Sequence, residues 1–327
     1  MASINKFDCH GLTDPGQIRG VNDDQFLIAD LRKSIFVHQT SVNLDEHAPI
    51  FGGTQSRLLM VADGGGGWTA ERQASEIVVH VITQYVLNMM PWLYRLDTQS
   101  EDDFLDDLTT ALERCQDRIR AVADATTAPR EIGTTLTIAS ISWPRLYVVH
   151  VGNGRCYLLR RGVLEQITTD HTLAQQLVES GMLGQGEAAS SQLSQVLWNA
   201  IGGDLEELNP DVYKAELQLG DTLLLCTDGL TAHVPDAVIR RYLQVQESAQ
   251  DTCRKLINAA NEAGGTDNIT AIVARFDRDA QSVDDAIEAM ADDDTPQAFP
   301  EPVNAGAQEP AAIPQPASAE CIAGKEV

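Results

Sequence analysis

Four apolar runs in this 327-residue chain each meet an aspartate at one end, and no other feature restricts the fold as strongly. Residues 58–62 (LLMVA) run into Asp63, and residues 223–227 (LLLCT) run into Asp228. Asp24 precedes the run QFLIADL, and Asp267 precedes NITAIVARF. Short apolar runs bounded by turn residues read as buried strands. Two of these strands head toward an aspartate and two lead away from one. If they pair antiparallel, all four carboxylates fall on one edge of the sheet. Asp-Gly after a strand is by itself an ordinary turn, so the joint pattern carries the argument. Four carboxylates cannot stay ionised side by side without cations to offset their repulsion. No histidine or cysteine cluster accompanies them, so hard, oxygen-seeking ions such as Mg²⁺ or Mn²⁺ suit the set. Gly64 would let a backbone carbonyl approach such an ion as a further ligand.

The rest of the chain supports a mixed architecture. Strand patterns cover residues 3–10, 24–31, 33–42, 134–142, 145–151, 155–160, 212–218, 221–227 and 269–276. Helical patterns cover 68–96, 101–124, 171–181, 235–245 and 248–263. Residues 43–56 read as a loop, and 182–210 are mixed. Trp143-Pro144-Arg145 and Gly152-Asn153-Gly154 mark hairpin turns, and Asp170 is placed to cap the 171–181 helix. Strands dominate both ends and helices come in pairs between them. That is an α+β pattern with antiparallel sheets, not βαβ alternation.

Composition excludes several function classes. The chain carries 48 acidic and 23 basic residues, a formal charge of −25. Nucleic-acid surfaces and basic membrane helices both need local positive charge. The most apolar long stretch, residues 76–96, contains His80, Thr83, Gln84, Asn88 and Pro91, and reads as a buried or amphipathic helix. The start shows no basic-then-apolar leader. The six cysteines form no CxxC pair, which favours reduced thiols and a cytoplasmic protein over a disulfide framework. Residues 281–327 hold ten acidic side chains, one basic one and six of the thirteen prolines. The expected division is a structured domain over 1–278 and an acidic, Pro/Ala-rich disordered tail over 279–327.

Six segments occur in order: R-G-V-N-D-D (19–24), V-A-D-G-G-G-G (61–67), G-T-T-L-T (133–137), H-V-G-N-G-R (150–155), C-T-D-G-L (226–230) and G-G-T-D-N-I-T (264–270). Together they resemble the metal-dependent Ser/Thr protein phosphatase family (PPM, type 2C) in its bacterial form. The resemblance implies a four-layer αββα sandwich, two antiparallel β-sheets flanked by helix pairs. It implies that Asp63 bridges two Mn²⁺ or Mg²⁺ ions and that the Gly64 carbonyl helps bind one. Asp228 and Asp267 would complete the other ion's site, and Asp24 would act on the Gly64-side ion. Asp23 stands where the family usually has Glu, one methylene longer. Asn268 would support the Asp267 loop, and Arg19 would hold the substrate phosphate through its two parallel donors. A water bridging the two ions would then attack phosphorus in line.

Three departures from the family pattern stand out. Asn153 replaces the aspartate that binds a third ion in bacterial members, so a third ion is expected to be weak or absent. The loop after Asp63 is all glycine. No histidine stands near it as a general acid; the corresponding positions are Gly65 and Trp68. The implied activity is hydrolysis of phosphoserine and phosphothreonine in proteins, with Ser/Thr kinases and their substrates as partners. The chain is expected to act as a monomer, and a flap-like insertion at about 166–209 is expected beside the site. The alternative is a weak or inactive pseudophosphatase acting as a phosphoprotein-binding module, the reading that Asn153 favours.

Overall fold

The computed structural model describes residues 6–35, 50–64, 69–89, 100–125, 133–188, 191–202 and 208–277. All of them belong to the compact unit Met1–Ser282. The predicted tail, the Gly65–Trp68 positions and the far end of the 68–96 helix lie outside them.

Five strands form one antiparallel sheet in the order β1 (Lys6–Asp14), β12 (Ile269–Asp277), β11 (Thr222–Cys226), β7 (Arg155–Arg160) and β8 (Val163–Gln166). Five more form a second sheet: β10 (Asp211–Glu216), β6 (Arg145–Val151), β5 (Leu136–Ser142), β3 (Ile50–Ala62) and β2 (Gln25–Ile35). Among the described residues, a two-stranded pair, β4 (Gly133–Thr134) with β9 (Ile201–Gly202), completes the strands.

The period-2 alternation of strand side chains divides each apolar run between two cores. Leu59 and Val61 of β3 meet Leu223 and Leu225 of β11 and Ile272 and Ala274 of β12 between the sheets. Leu58 and Met60 point the other way, onto helices α1 (Thr69–Met89) and α2 (Ser100–Ala125). Leu224, Cys226, Ala271 and Val273 pack on α5 (Asp228–Thr231), α6 (Asp236–Gln244) and α7 (Ala249–Glu262). Strands buried on both faces explain why these runs are apolar throughout rather than alternating. The result is the αββα sandwich.

Several sequence expectations change. Segments 24–31 and 33–42 were expected as separate strands, yet β2 is continuous from Gln25 to Ile35. It absorbs the irregularity as register shifts at Leu31/Arg32 and Arg32/Ser34, because Leu31-Arg32-Lys33 carries no turn residue. The expected loop at 43–56 gives way to strand β3 from Ile50 onward. Asp170 does not cap helix α3 (Leu173–Glu179). Thr172 does, its hydroxyl accepting from the Gln175 amide at 3.2 Å. Asp170 instead makes a two-point ion pair with Arg155, at 2.9 and 2.7 Å, a stronger interaction than a cap.

The inter-sheet core should dominate stability. Leu225→Ala removes a fully buried side chain and should cost about 2–5 kcal/mol. Val163→Ala, on an exposed strand position, should change stability by less than ~0.5 kcal/mol. Urea unfolding midpoints check the contrast.

Candidate metal and phosphate site

Strand register decides where the aspartates go. Gln25 of β2 pairs with Ala62 of β3, which sets Asp24 beside Asp63. Cys226 of β11 pairs with Ala271 of β12, which brings Asp228 near Asp267. The expectation of one shared sheet edge is therefore corrected. Two carboxylates come from each sheet, and they meet at one end of the sandwich.

The join between the sheets is a set of hydrogen bonds. Asp24 is buried, and its Oδ2 accepts from the hydroxyls of Thr227 and Thr270, at 2.9 and 2.6 Å. Both threonines belong to the opposite sheet's strand ends. The Thr270 amide donates to Thr227 Oγ1 at 3.0 Å, locking the two hydroxyls together. Asp63 is held through its backbone: its amide donates to Thr135 Oγ1 at 3.3 Å, and its carbonyl accepts from Thr134 Oγ1 at 2.7 Å. Gly64 next to it is buried. Asp228 opens α5, and its Oδ2 accepts from Asn153 Nδ2 at 2.8 Å. Gly229 must be glycine, because a Cβ there would sit 1.9 Å from the Asn268 carbonyl oxygen.

Arg19 and Asp267 face each other. The guanidinium holds both Asp267 oxygens, with Nε and Nη2 each at 3.0 Å, and both side chains are one-third exposed. Asn268 supports this corner from beneath. Its amide donates to Asp267 Oδ1 at 2.9 Å, and its side-chain nitrogen donates to the carbonyls of Pro15 and Val21. Its Oδ1 accepts from the Asp23 amide at 2.8 Å. Asp23 itself is buried, with its carbonyl accepting from Ser75 Oγ.

Burial and mutual repulsion raise the pKa values of these carboxyls. Burial pushes Asp24 up to about 7 against the pull of the Thr270 and Thr227 hydroxyls. Asp63 rises well above the carboxylate range, first through burial and then through the charges of Asp24 and Asp228. Asp228 is raised too, by burial, despite the Asn153 amide. Asp24 Oδ1 is buried and has no hydrogen-bond partner apart from the neighbouring carboxyls. An acceptor oxygen among other carboxyl oxygens fits a hard divalent cation. Among the described residues no three His, Cys, Asp or Glu side chains form a closed ligand cage. Asp267 has both of its oxygens engaged by Arg19.

The sequence matches the family model described as Protein phosphatase 2C over residues 37–274. The chain belongs to the protein phosphatase 2C family. It is 36% identical over 219 residues to the serine/threonine protein phosphatase PstP of Mycobacterium tuberculosis, a match covering 67% of this chain and 40% of that relative's length. It is 31% identical over 227 residues to protein phosphatase PhpP of Streptococcus pneumoniae, covering 68% of this chain and 88% of that one. Its fold resembles the solved catalytic domain of PstP in complex with two manganese ions. That likeness has a TM-score of 0.63 and 29% identity, over 82% of this chain and 97% of that one.

Sequence reasoning missed the threonines of this site. Thr134, Thr135, Thr227 and Thr270 lie inside the quoted segments, but hydroxyls next to an aspartate carry no signal until strand register brings them to a second one.

The raised acids imply a definite pH response. In the folded state these carboxyls hold protons that the unfolded chain has released. They therefore lower stability as pH rises from the ordinary carboxylate range to about 7. A divalent cation replaces those protons. The melting midpoint gained on adding Mn²⁺ should thus be larger at pH 8 than at pH 5.5, measured by scanning calorimetry. An equal gain at both pH values would contradict the assignment.

Proposed function

We propose that this chain is a Mn²⁺- or Mg²⁺-dependent phosphatase that hydrolyses phosphoserine and phosphothreonine in proteins. The observation that carries the proposal is the juxtaposition of the buried Asp24, Asp63 and Asp228 carboxyls at one end of the sandwich, with Arg19 partly exposed beside Asp267. Asp63, Asp24, Asp228, Asp267 and the Gly64 carbonyl would hold two ions. When bound, such ions acidify water into a nucleophile and draw charge from phosphoryl oxygens.

The protein's own residues supply position. Arg19 offers a planar fork that two phosphoryl oxygens can accept in place of the Asp267 carboxylate. The Thr227 and Thr270 hydroxyls keep one Asp24 oxygen turned inward, leaving the other for a cation. Asn268 fixes the distance between the Arg19 loop and Asp267. Cysteine chemistry is disfavoured: burial pushes Cys226 up to about 12 and raises Cys156 still further, so neither is a thiolate near neutral pH.

The proposal extends to partners. Residues 166–209 are assigned to reading the protein substrate beside the site, and the partners are phosphorylated proteins, including Ser/Thr kinases and their substrates. A monomeric, cytoplasmic protein is proposed, supported by free thiols at Cys9, Cys115, Cys156, Cys226 and Cys253. No helix among the described residues is long and apolar enough to cross a membrane.

Turnover of an aryl phosphate and a phosphothreonine peptide with Mn²⁺ tests the reading. Asp63→Asn should reduce kcat/KM on the order of 10³-fold, since ion chemistry supplies several kcal/mol. Arg19→Ala should raise KM roughly 10- to 100-fold, the worth of a charge-assisted phosphate contact of about 1.5–3 kcal/mol. Mn²⁺ binding without turnover in the unaltered chain would instead favour the phosphoprotein-binding module.

A further inference from the structure

Two buried histidines lie behind the loop that carries Asn153, and the proposed chemistry uses neither. His150 sits on β6 and His171 just before α3, both almost fully buried. Their ring centroids are 4.8 Å apart, and the Trp198 ring lies tilted against His171, also at 4.8 Å.

Hydrogen-bond chemistry fixes both tautomers. The Gly152 carbonyl only accepts, so His150 Nε2 carries a proton toward it at 2.8 Å. His150 Nδ1 then accepts from the Thr137 hydroxyl at 3.0 Å. Burial lowers the His150 pKa to about 3, consistent with a neutral ring. The Gly152 amide and the Asn199 side-chain amide both donate to His171 Nδ1, at 3.2 and 2.8 Å. The proton of His171 is therefore on Nε2, which donates to Asp211 Oδ2 at 3.1 Å. Tyr213 donates to the same oxygen at 2.8 Å.

The Gly152 peptide is thus gripped at both ends. Its amide goes to His171 Nδ1, and its carbonyl also accepts from the His171 backbone amide at 2.7 Å. From Gly152 two routes reach the aspartates. Asn153 follows it in sequence and donates to Asp228. Gly152 itself, at φ +110, lies so close to Thr135 that an added Cβ would come within 2.5 Å of the Thr135 Cβ. Thr135 in turn donates its amide to the Asp63 carbonyl at 3.0 Å and accepts the Asp63 amide on its hydroxyl. On the opposite side, the His171 carbonyl accepts from the Trp198 amide at 3.1 Å, inside the segment assigned to substrate reading.

We infer that His171 is a positioning residue that sets the Gly152 peptide and, through Asn153 and Thr135, the orientation of Asp228 and Asp63, joining the 166–209 segment to the cation site. The inference rests on the phosphatase reading of that site. The nitrogens have separate tasks: Nδ1 receives Gly152, and Nε2–H is anchored by Asp211. Outer-shell groups of this kind typically change metal affinity by about 10- to 100-fold when removed.

Two substitutions separate the tasks. His171→Asn places a carbonyl oxygen near Nδ1, keeping an acceptor for Gly152 while losing Asp211. His171→Gln places an amide near Nε2, keeping Asp211 while leaving the Gly152 amide without its acceptor. Calorimetric Mn²⁺ titration should find His171→Asn within about threefold of the unaltered chain and His171→Gln weaker by about tenfold or more. Equal weakening in both, tracking their melting midpoints, would reduce His171 to a structural residue and overturn the inference. Unchanged affinity in both would overturn it as well. If the unaltered chain bound no Mn²⁺, the phosphatase reading itself would fail. Imidazole ¹⁵N NMR on the unaltered chain needs no variant. It should show an Nε2–H tautomer at His171 whose resonances shift on adding Mg²⁺, and an Nδ1–H tautomer or unmoved resonances would overturn the inference.

Discussion

Carboxyl groups crowded into a buried corner repel one another, and the arrangement of this protein answers that repulsion. Each sheet brings two aspartates to the same end of the sandwich by the register of one antiparallel strand pair. The inter-sheet core of Leu59, Val61, Leu223, Leu225 and Ile272 then holds the two ends together. Hydrogen bonds from Thr227 and Thr270 to Asp24 cross from one sheet to the other. The same core that stabilises the fold therefore sets the distance between the two halves of the site.

Much of this was legible in the sequence because each signal is local. Apolar runs five to nine residues long that stop at Asp-Gly or start after Asp identify strand ends directly. Asp63 follows its strand at once and Asp228 one residue after its own, while Asp24 and Asp267 come just ahead of theirs. The pairing of strands into two sheets was not legible from the runs alone, because antiparallel pairing within one sheet satisfies the same pattern. The resemblance to a known family supplied the sandwich. Asp170 shows the limit of local reasoning: its neighbourhood suits a helix cap, yet Arg155 from a different strand claims it. The same holds for Asp267 and Arg19, distant in sequence and bound to each other in space.

The departures from the family pattern acquire physical content in the fold. Asn153 donates a hydrogen bond to Asp228, which an aspartate in that position could do only if protonated. It lowers the local negative charge and steadies one of the carboxyls assigned to the cations, at the expense of a further acidic ligand. The run Gly64–Gly67 after Asp63 supplies no imidazole. The buried histidines at 150 and 171 are enclosed behind Gly152, where they can shape the site but cannot meet a leaving group.

The central claim is that the four strand-end aspartates together form a site for divalent cations. The stoichiometry of Mn²⁺ binding tests it most directly, by titration calorimetry at pH 7.5 on the full chain and on Asp63→Asn. The account predicts two ions per chain, with both heats collapsing in the variant while its circular dichroism stays unchanged. Binding that survives Asp63→Asn at full stoichiometry would contradict it.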